Sequence, residues 1–183
     1  KETSLNLPFL KQGITTVVVG NDGDSYFPIS DYKSLYESQG IGTNVVMLVG
    51  HGTIRNKVLG NINKKPNLDE LSEMKKLITQ EMSSGAFGMS TGLFYSPGSY
   101  SNTEEIVSLA KIVSDNGGIY DTHLRDESNY NIGLISAVKE TIDIGLKANI
   151  PVHISHIKCL GRYVWHQSDS IIKLIEFYRN KGL

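Results

Sequence analysis

One pattern recurs along the chain and constrains its fold: a short apolar, β-branched run, a polar turn, and then an amphipathic stretch. The five apolar runs predict strands at 14–20, 44–50, 86–91, 119–123 and 151–156. The amphipathic stretches predict helices at 31–39, 68–83, 103–116, 132–148 and 168–181. This alternation predicts an α/β fold with parallel strands and right-handed crossovers.

Two architectures have this alternation: a doubly wound open sheet and a (β/α)8 TIM barrel. Five units would complete a flavodoxin-like sheet, but no predicted strand leads into a glycine-rich phosphate loop. A barrel needs eight units and about 250 residues, whereas the chain has 183. On the barrel interpretation, residues 1–183 form one partial domain, and three units belong to parts of the protein outside this chain.

Composition narrows the class of protein. The formal net charge is −1, with 39% hydrophobic and 20% charged residues, which is typical of a soluble globular domain. The balanced charge predicts neither a nucleic-acid partner nor a membrane-surface partner, and no apolar run is long enough to span a bilayer. The single cysteine, Cys159, excludes an internal disulfide and favours a reducing, cytoplasmic location. The chain begins with Lys1 rather than methionine, which is typical of an excised segment.

Residues with metal or acid–base chemistry gather at the predicted carboxyl ends of the strands. Four of the five histidines lie at or within three residues of such an end. The carboxyl ends of barrel strands hold the active site. One histidine there is more often structural, but repetition at equivalent positions predicts a shared site. Because imidazole is the commonest metal ligand and catalytic zinc keeps three protein ligands, an acid and two histidines from three strand ends can bind it.

The histidines differ in their predicted roles. His153 and His156 are three residues apart on one strand, so side-chain alternation predicts that they point to opposite faces. His156 is nearer the rim and is the predicted site residue, whereas His153 is expected to pack between strand and helix. Lys158 points the same way as His156 and can meet an anionic substrate group or remain a solvated lysine. His51, between two glycines, can be a ligand or structural, and the structural role is favoured.

Two further segments leave alternatives open. A guanidinium matches a carboxylate in geometry, so Arg125 can bind a substrate carboxylate. Alternatively, Arg125 can lie behind the metal ligands. Asp126 and Glu127 fit an outer layer of the site and equally fit a local ion pair that caps the next helix. Tyr95, in the aromatic loop 94–100, can bind substrate or stabilise an oxyanion. The same loop can also be an ordinary proline–glycine turn.

Five segments, in order, resemble those of a known family. They are GITTVVVGNDG, LVGHGTIR, GAFGMSTGLFYSPGSY, THLRDES and ISHIK. Together they resemble strands two to six of the barrel of D-aminoacylases (N-acyl-D-amino-acid deacylases), in the amidohydrolase superfamily. The third strand ends in Ser90 rather than the lysine that many other amidohydrolases carbamylate, which favours this branch. The resemblance implies a zinc-dependent deacylase that hydrolyses small N-acyl-D-amino acids to a carboxylate and a free D-amino acid.

The resemblance also implies roles for single residues. His123 and His156 fall on the two histidine ligands of the tightly bound zinc ion. Asp22 falls where the best-known members have a metal-binding cysteine, and a carboxylate can also ligate or bridge zinc. The implied Zn²⁺ site is therefore Asp22, His123 and His156. Tyr95 and Lys158 fall on positions that contact the substrate carboxylate.

Two parts of the family's active site are expected outside the chain. Its His-x-His pair belongs to the first barrel strand, expected upstream of Lys1, and its general acid/base aspartate to the eighth, expected downstream of Leu183. No His-x-His occurs in the 183 residues, and no catalytic residue is predicted within them. We expect the isolated chain to be inactive and to self-associate through open strand edges. Two rival hypotheses are a non-catalytic relative with a degraded metal site and a metal-free five-stranded binding module.

Overall fold

The computed structural model describes residues 5–183 as a curved sheet of five parallel strands with helices between them. The strands are β1 (Thr16–Val19), β2 (Asn44–Gly50), β3 (Gly88–Gly92), β4 (Ile119–His123) and β5 (Val152–Ile154). The helices are α1 (Leu7–Leu10), α2 (Ile29–Gln39), α3 (His51–Leu59), α4 (Leu68–Ser83), α5 (Thr103–Asp115), α6 (Leu134–Ala148) and α7 (Ser168–Arg179). The strands pair in chain order, from β1 to β5. This order confirms a partial (β/α)8 barrel, because a doubly wound sheet reverses its order at a switch point.

The two faces of the sheet carry different side chains. Val49, Met89 and Tyr120 are aligned across three neighbouring strands, and all three lie in the main apolar core with residues of the helices. The adjacent positions Ser90 and Asp121 are paired with each other and must point to the opposite face. The helices therefore cover one face of the sheet, and the concave face carries polar groups.

Three of the five predicted helices, α4, α5 and α7, begin where the sequence predicts. Asn67 caps α4 in a capping box with Glu70, and Asn102 caps α5 by accepting the backbone N–H of Glu105. The start of α2 is two residues earlier than predicted, at Ile29, and α6 begins two residues later, at Leu134. Within the described range, residues 5–183, no helix has the length and apolar character needed to cross a membrane.

One substantial helix was not predicted. α3 begins at His51, directly after β2, with no side chain capping its first turn. The sequence there has no Ser, Thr, Asp or Asn before the helix and has a glycine at its second position, so the usual start signals are missing. The helical conformation places His51 and Arg55 one turn apart on the same side, where both reach α5.

Candidate metal centre

Three side chains from distant parts of the chain meet at the carboxyl end of the sheet. Asp22 follows β1, His123 ends β4, and His156 lies just beyond β5. One ligand atom from each lies within 4.8 Å of the others. His156 Nε2 is 3.3 Å from Asp22 Oδ1, and His123 Nδ1 is 3.6 Å from Asp22 Oδ2. The structure thus brings together the three residues that the sequence proposes as ligands.

These distances and donor types fit a zinc ion. An ion that binds two such donors at about 2.0–2.2 Å in tetrahedral geometry holds them roughly 3.3–3.6 Å apart. The separations from the Asp22 carboxylate to His156 and His123 are 3.3 and 3.6 Å. One carboxylate and two imidazoles are common zinc ligands, and three protein ligands leave a fourth position open.

The backbone around two of these residues is unusual. Asp22 (φ 57°) and His156 (φ 35°) are two of the four non-glycine residues with positive φ in the described part of the chain. At His156 this conformation costs free energy and must be held by the surrounding structure, whereas an aspartate adopts it more readily. At Asp22 the turn also packs against β3, since a Cβ on Gly92 would collide with the Asp22 carbonyl oxygen.

The protonation of the neighbouring groups suits metal and substrate binding. Burial lowers the pKa of His123, and the carboxylates of Glu127 and Asp22 only partly oppose this effect. A neutral imidazole, the form that binds metals, is therefore favoured. Tyr95 Oη lies 3.4 Å from His123 Nδ1. Burial and the charge of Asp22 raise the pKa of Tyr95, so its phenol keeps the proton and can act as a donor.

A second carboxylate lies behind the histidines. Glu127 is almost fully buried, with Oε2 3.3 Å from His123 Nε2 and Oε1 3.5 Å from His156 Nδ1. Lys158 Nζ lies 2.6 Å from Glu127 Oε1 and 3.1 Å from His156 Nδ1. Of the two predicted alternatives for Glu127, the structure favours the outer layer of the site over a helix cap. Lys158 lies at the rim of the cluster, held by this carboxylate.

Two neighbours in sequence lie outside the cluster. Arg125 is bound to Glu140 on α6, with Nε 2.8 Å from Oε2 and Nη2 3.0 Å from Oε1. The structure therefore does not bring its guanidinium to the three proposed ligands. Asp126 accepts three backbone N–H groups within 128–133, and these bonds outweigh burial and lower its pKa. Asp126 thus organises the loop rather than the site.

The prediction for His153 is wrong. His153 is paired with Asp121 in the sheet register, and its Nδ1 lies 2.5 Å from Asp121 Oδ1 on the concave face. His156 reaches the same side because its positive φ ends the regular alternation of the strand. Both histidines therefore point to the concave face: His153 at the level of Asp121, and His156 nearer the carboxyl end of the sheet. The alternation rule failed because His156 lies in the turn after β5, which ends at Ile154.

His51 has the structural role that the sequence favours. Its Nε2 lies 2.8 Å from Glu105 Oε1, and Arg55 Nη1 lies 2.6 Å from Glu105 Oε2, all fully buried between α3 and α5. Burial alone would raise the pKa of Glu105, but its bonds to His51 and Arg55 lower it. The same helix supports the metal cluster, because Thr53 N–H donates to the carbonyl of Gly23, 3.1 Å away. No local signal in the sequence predicts this support.

Known proteins resemble the chain in sequence and fold. It is 34% identical over 192 residues to a D-aminoacylase of Alcaligenes xylosoxydans xylosoxydans, matching 92% of this chain and 39% of that protein. An N-acyl-D-glutamate deacylase from Bordetella bronchiseptica, crystallised with zinc and a phosphonate mimic of the tetrahedral intermediate, superposes with a TM-score of 0.92 and 28% identity. That match covers 99% of this chain and 42% of the deacylase.

A solved structure of D-aminoacylase, determined for the functional role of its binuclear metal centre, superposes with a TM-score of 0.87 and 31% identity. That match covers 96% of this chain and 41% of the D-aminoacylase. No protein-family model matches the chain. The chain spans about two fifths of the length of the relatives that it matches. The chain's relatives and structural neighbours are thus D-aminoacylases and N-acyl-D-amino-acid deacylases of the amidohydrolase superfamily.

Proposed function

We propose that the protein containing this chain hydrolyses the amide bond of N-acyl-D-amino acids, giving a carboxylate and a free D-amino acid. The observation that carries the proposal is the convergence of Asp22, His123 and His156, with ligand atoms within 4.8 Å of one another, at the carboxyl end of the strands. The relatives support the reaction class, since two of them are named for the deacylation of D-amino acids. Zinc is the proposed metal because the donors and their separations suit it.

Each residue has a proposed role in the reaction. Bound zinc polarises a carbonyl oxygen and lowers the pKa of water. Tyr95, which keeps its proton, donates a hydrogen bond to the substrate carboxylate or to negative charge that develops during attack. Lys158 supplies positive charge for the same carboxylate. The proton transfer to the leaving amine is assigned to the aspartate expected beyond Leu183.

Arg125 enters the proposal as an outer residue. Its guanidinium is committed to Glu140 on α6, so it stabilises the strand end that carries His123 rather than touching the substrate. The side chain of the preferred D-amino acid is left to measurement. A panel of N-acetyl-D-amino acids with acidic, apolar and polar side chains, each with its L-enantiomer, would define the substrate class.

The test uses the full-length protein and three single substitutions. His123→Ala and His156→Ala should abolish both zinc binding and turnover of N-acetyl-D-amino acids. His166→Ala, which alters an exposed histidine in the loop before α7, is the matched control and should retain both. Zinc and activity retained in either site variant would overturn the proposal. Zinc binding by the parent protein without turnover of any N-acyl-D-amino acid would favour the non-catalytic alternative.

We also propose that residues 1–183 alone are inactive and self-associate. Within residues 5–183, β1 and β5 each pair on one side only, and unpaired strand edges promote association. Val18 on β1 is half exposed, which leaves apolar surface beside one edge. Light scattering after size-exclusion chromatography should show a dimer or larger species. A folded, monomeric chain at high concentration would contradict this proposal.

A further inference from the structure

One buried carboxylate faces the outer nitrogens of both histidines. The inner nitrogens, His123 Nδ1 and His156 Nε2, face Asp22. The outer nitrogens, His123 Nε2 and His156 Nδ1, face Glu127 at 3.3 and 3.5 Å. Each imidazole ring therefore lies between Asp22 on one side and Glu127 on the other. The two oxygens of Glu127 are divided between the rings, with Oε2 near His123 and Oε1 near His156.

The position of the ring protons follows from this arrangement. A neutral imidazole has one N–H and one bare nitrogen, and a metal binds the bare nitrogen. A metal on the inner nitrogens therefore requires an N–H on each outer nitrogen. His123 Nε2 is buried and has no hydrogen-bond partner in the described structure, and Glu127 Oε2 is the carboxylate oxygen beside it. Glu127 is therefore the group that can accept this N–H once the ring and the carboxylate align.

His156 needs the same acceptor. In the described structure Lys158 Nζ, which can only donate, lies 3.1 Å from His156 Nδ1, so Nδ1 accepts there and the ring proton faces Asp22. A metal on Nε2 instead requires the proton on Nδ1, where Lys158 cannot accept it. With a metal on His156 Nε2, Glu127 Oε1 is therefore the group that can accept the Nδ1 proton. Lys158 instead donates to Glu127 Oε1 at 2.6 Å, which holds the carboxylate in position between the rings.

We propose that Glu127 is the positioning residue of the metal centre: a single carboxylate that accepts the N–H of both histidine ligands. It thereby fixes both tautomers and the orientation of both rings. This inference rests on the proposed function, because it requires a metal on the inner nitrogens. Outer partners of this kind typically change metal affinity by about 10–100-fold when they are mutated.

The experiment measures zinc affinity in the full-length protein by competition with a chromophoric chelator. Glu127→Gln should lower zinc affinity by about 10–100-fold, because an amide has one acceptor oxygen and cannot serve both rings. Glu81→Gln is the matched control: this glutamate is similarly buried, but it lies on α4 and its carboxylate accepts the backbone N–H of Ile29, a bond that an amide oxygen can keep. Its zinc affinity should remain close to that of the parent.

A second readout separates positioning from a general structural role. In the zinc-loaded parent, ¹⁵N NMR of labelled histidine should show the proton of His123 on Nε2 and that of His156 on Nδ1. In Glu127→Gln, at least one of these ring N–H signals should be lost or exchange faster with water. Glu127→Asp, whose shorter side chain cannot reach both rings, provides a second variant if the glutamine variant does not fold, and it should also weaken zinc binding.

The outcomes separate this inference from the function on which it rests. If the parent binds zinc through His123 and His156 but both Glu127 variants that fold keep parental affinity and ring signals, the positioning role is overturned and the proposed function stands. If the parent binds no zinc, both fall. Reduced affinity with altered ring signals, and an unchanged Glu81→Gln control, supports the positioning role.

Discussion

Two clusters in this molecule contain the same kinds of groups and differ in what they leave open. The network of His51, Arg55 and Glu105 is fully buried between α3 and α5, and its acid is bound by both His51 and Arg55. The cluster of Asp22, His123 and His156 also contains an acid and imidazoles, but the side chains of Asp22 and His156 are 37% and 42% exposed.

The difference shows why a histidine at a strand end is a weak sign of function. In the closed network of His51, Arg55 and Glu105, both other side chains bind the Glu105 carboxylate, so it links α3 and α5. In the open cluster of Asp22, His123 and His156, the inner nitrogens of the two histidines face the Asp22 carboxylate. Their separations suit a shared cation. Enclosure and partners, rather than residue type, distinguish a structural histidine from a ligand.

The largest expected effect on stability comes from removing Glu105, the acid of the closed network. Glu105→Gln leaves Arg55 buried without a counter-charge, and we expect it to lower the free energy of unfolding by about 3–5 kcal/mol. Denaturant unfolding of the full-length protein would measure this loss, while the zinc affinity of the folded protein should change little. Glu104→Gln, an exposed neighbour in the same helical turn, is the control and should cost less than about 1 kcal/mol.

Removing the acid of the open cluster should lower zinc affinity rather than stability. We expect Asp22→Ala to lower zinc affinity by more than about 100-fold, because even an outer partner of a ligand is worth about 10–100-fold, with little loss of stability. Asp22→Cys should bind zinc, since a thiolate is also a zinc ligand. Asp24→Ala, two residues away and exposed, should keep parental affinity. Zinc binding by Asp22→Ala at the parental level would remove Asp22 from the ligand set.

Acid should weaken the closed network. Because the pKa of Glu105 is below its ordinary value of 4.5 in the folded protein, its contribution to stability is complete above pH 4.5. That contribution is lost as the pH falls through the lowered value, where the folded state also takes up the proton. The stability difference between the parent and Glu105→Gln should therefore shrink below pH 4.5 and stay constant from there to neutral pH. A difference that grows on acidification would contradict the lowered pKa.

The smallest effect should come from the connection between the two clusters. The Thr53 hydroxyl donates to Asp24 Oδ1 and accepts the backbone N–H of Ser25. Thr53→Val removes these bonds and should cost about 1 kcal/mol of stability. Zinc affinity should fall by less than tenfold, roughly 1.4 kcal/mol, because the Thr53 backbone still holds Gly23. Parental stability and affinity would show that the hydroxyl contributes nothing to this connection.

The sequence predicted the five strands and the residues that converge at their ends, because hydrophobic runs and strand-end positions are local properties. It did not predict α3, whose start lacks a capping side chain. It placed His153 on the wrong face because the backbone of His156 leaves the strand conformation. The position of Glu127 against two rings depends on how the loop after β4 packs against the segment after β5, where Lys158 and Leu160 bind it, and nothing in the spacing of the chain specifies that.

The contact between Asp22 and His156 joins residues that are 134 positions apart in the chain. Closing a loop of this length costs conformational entropy, and pairing of the intervening strands lowers that cost. During synthesis, the pair cannot form until β5 has left the ribosome and docked beside β4. Metal binding by this pair would therefore indicate that the strands from β1 to β5 have already assembled.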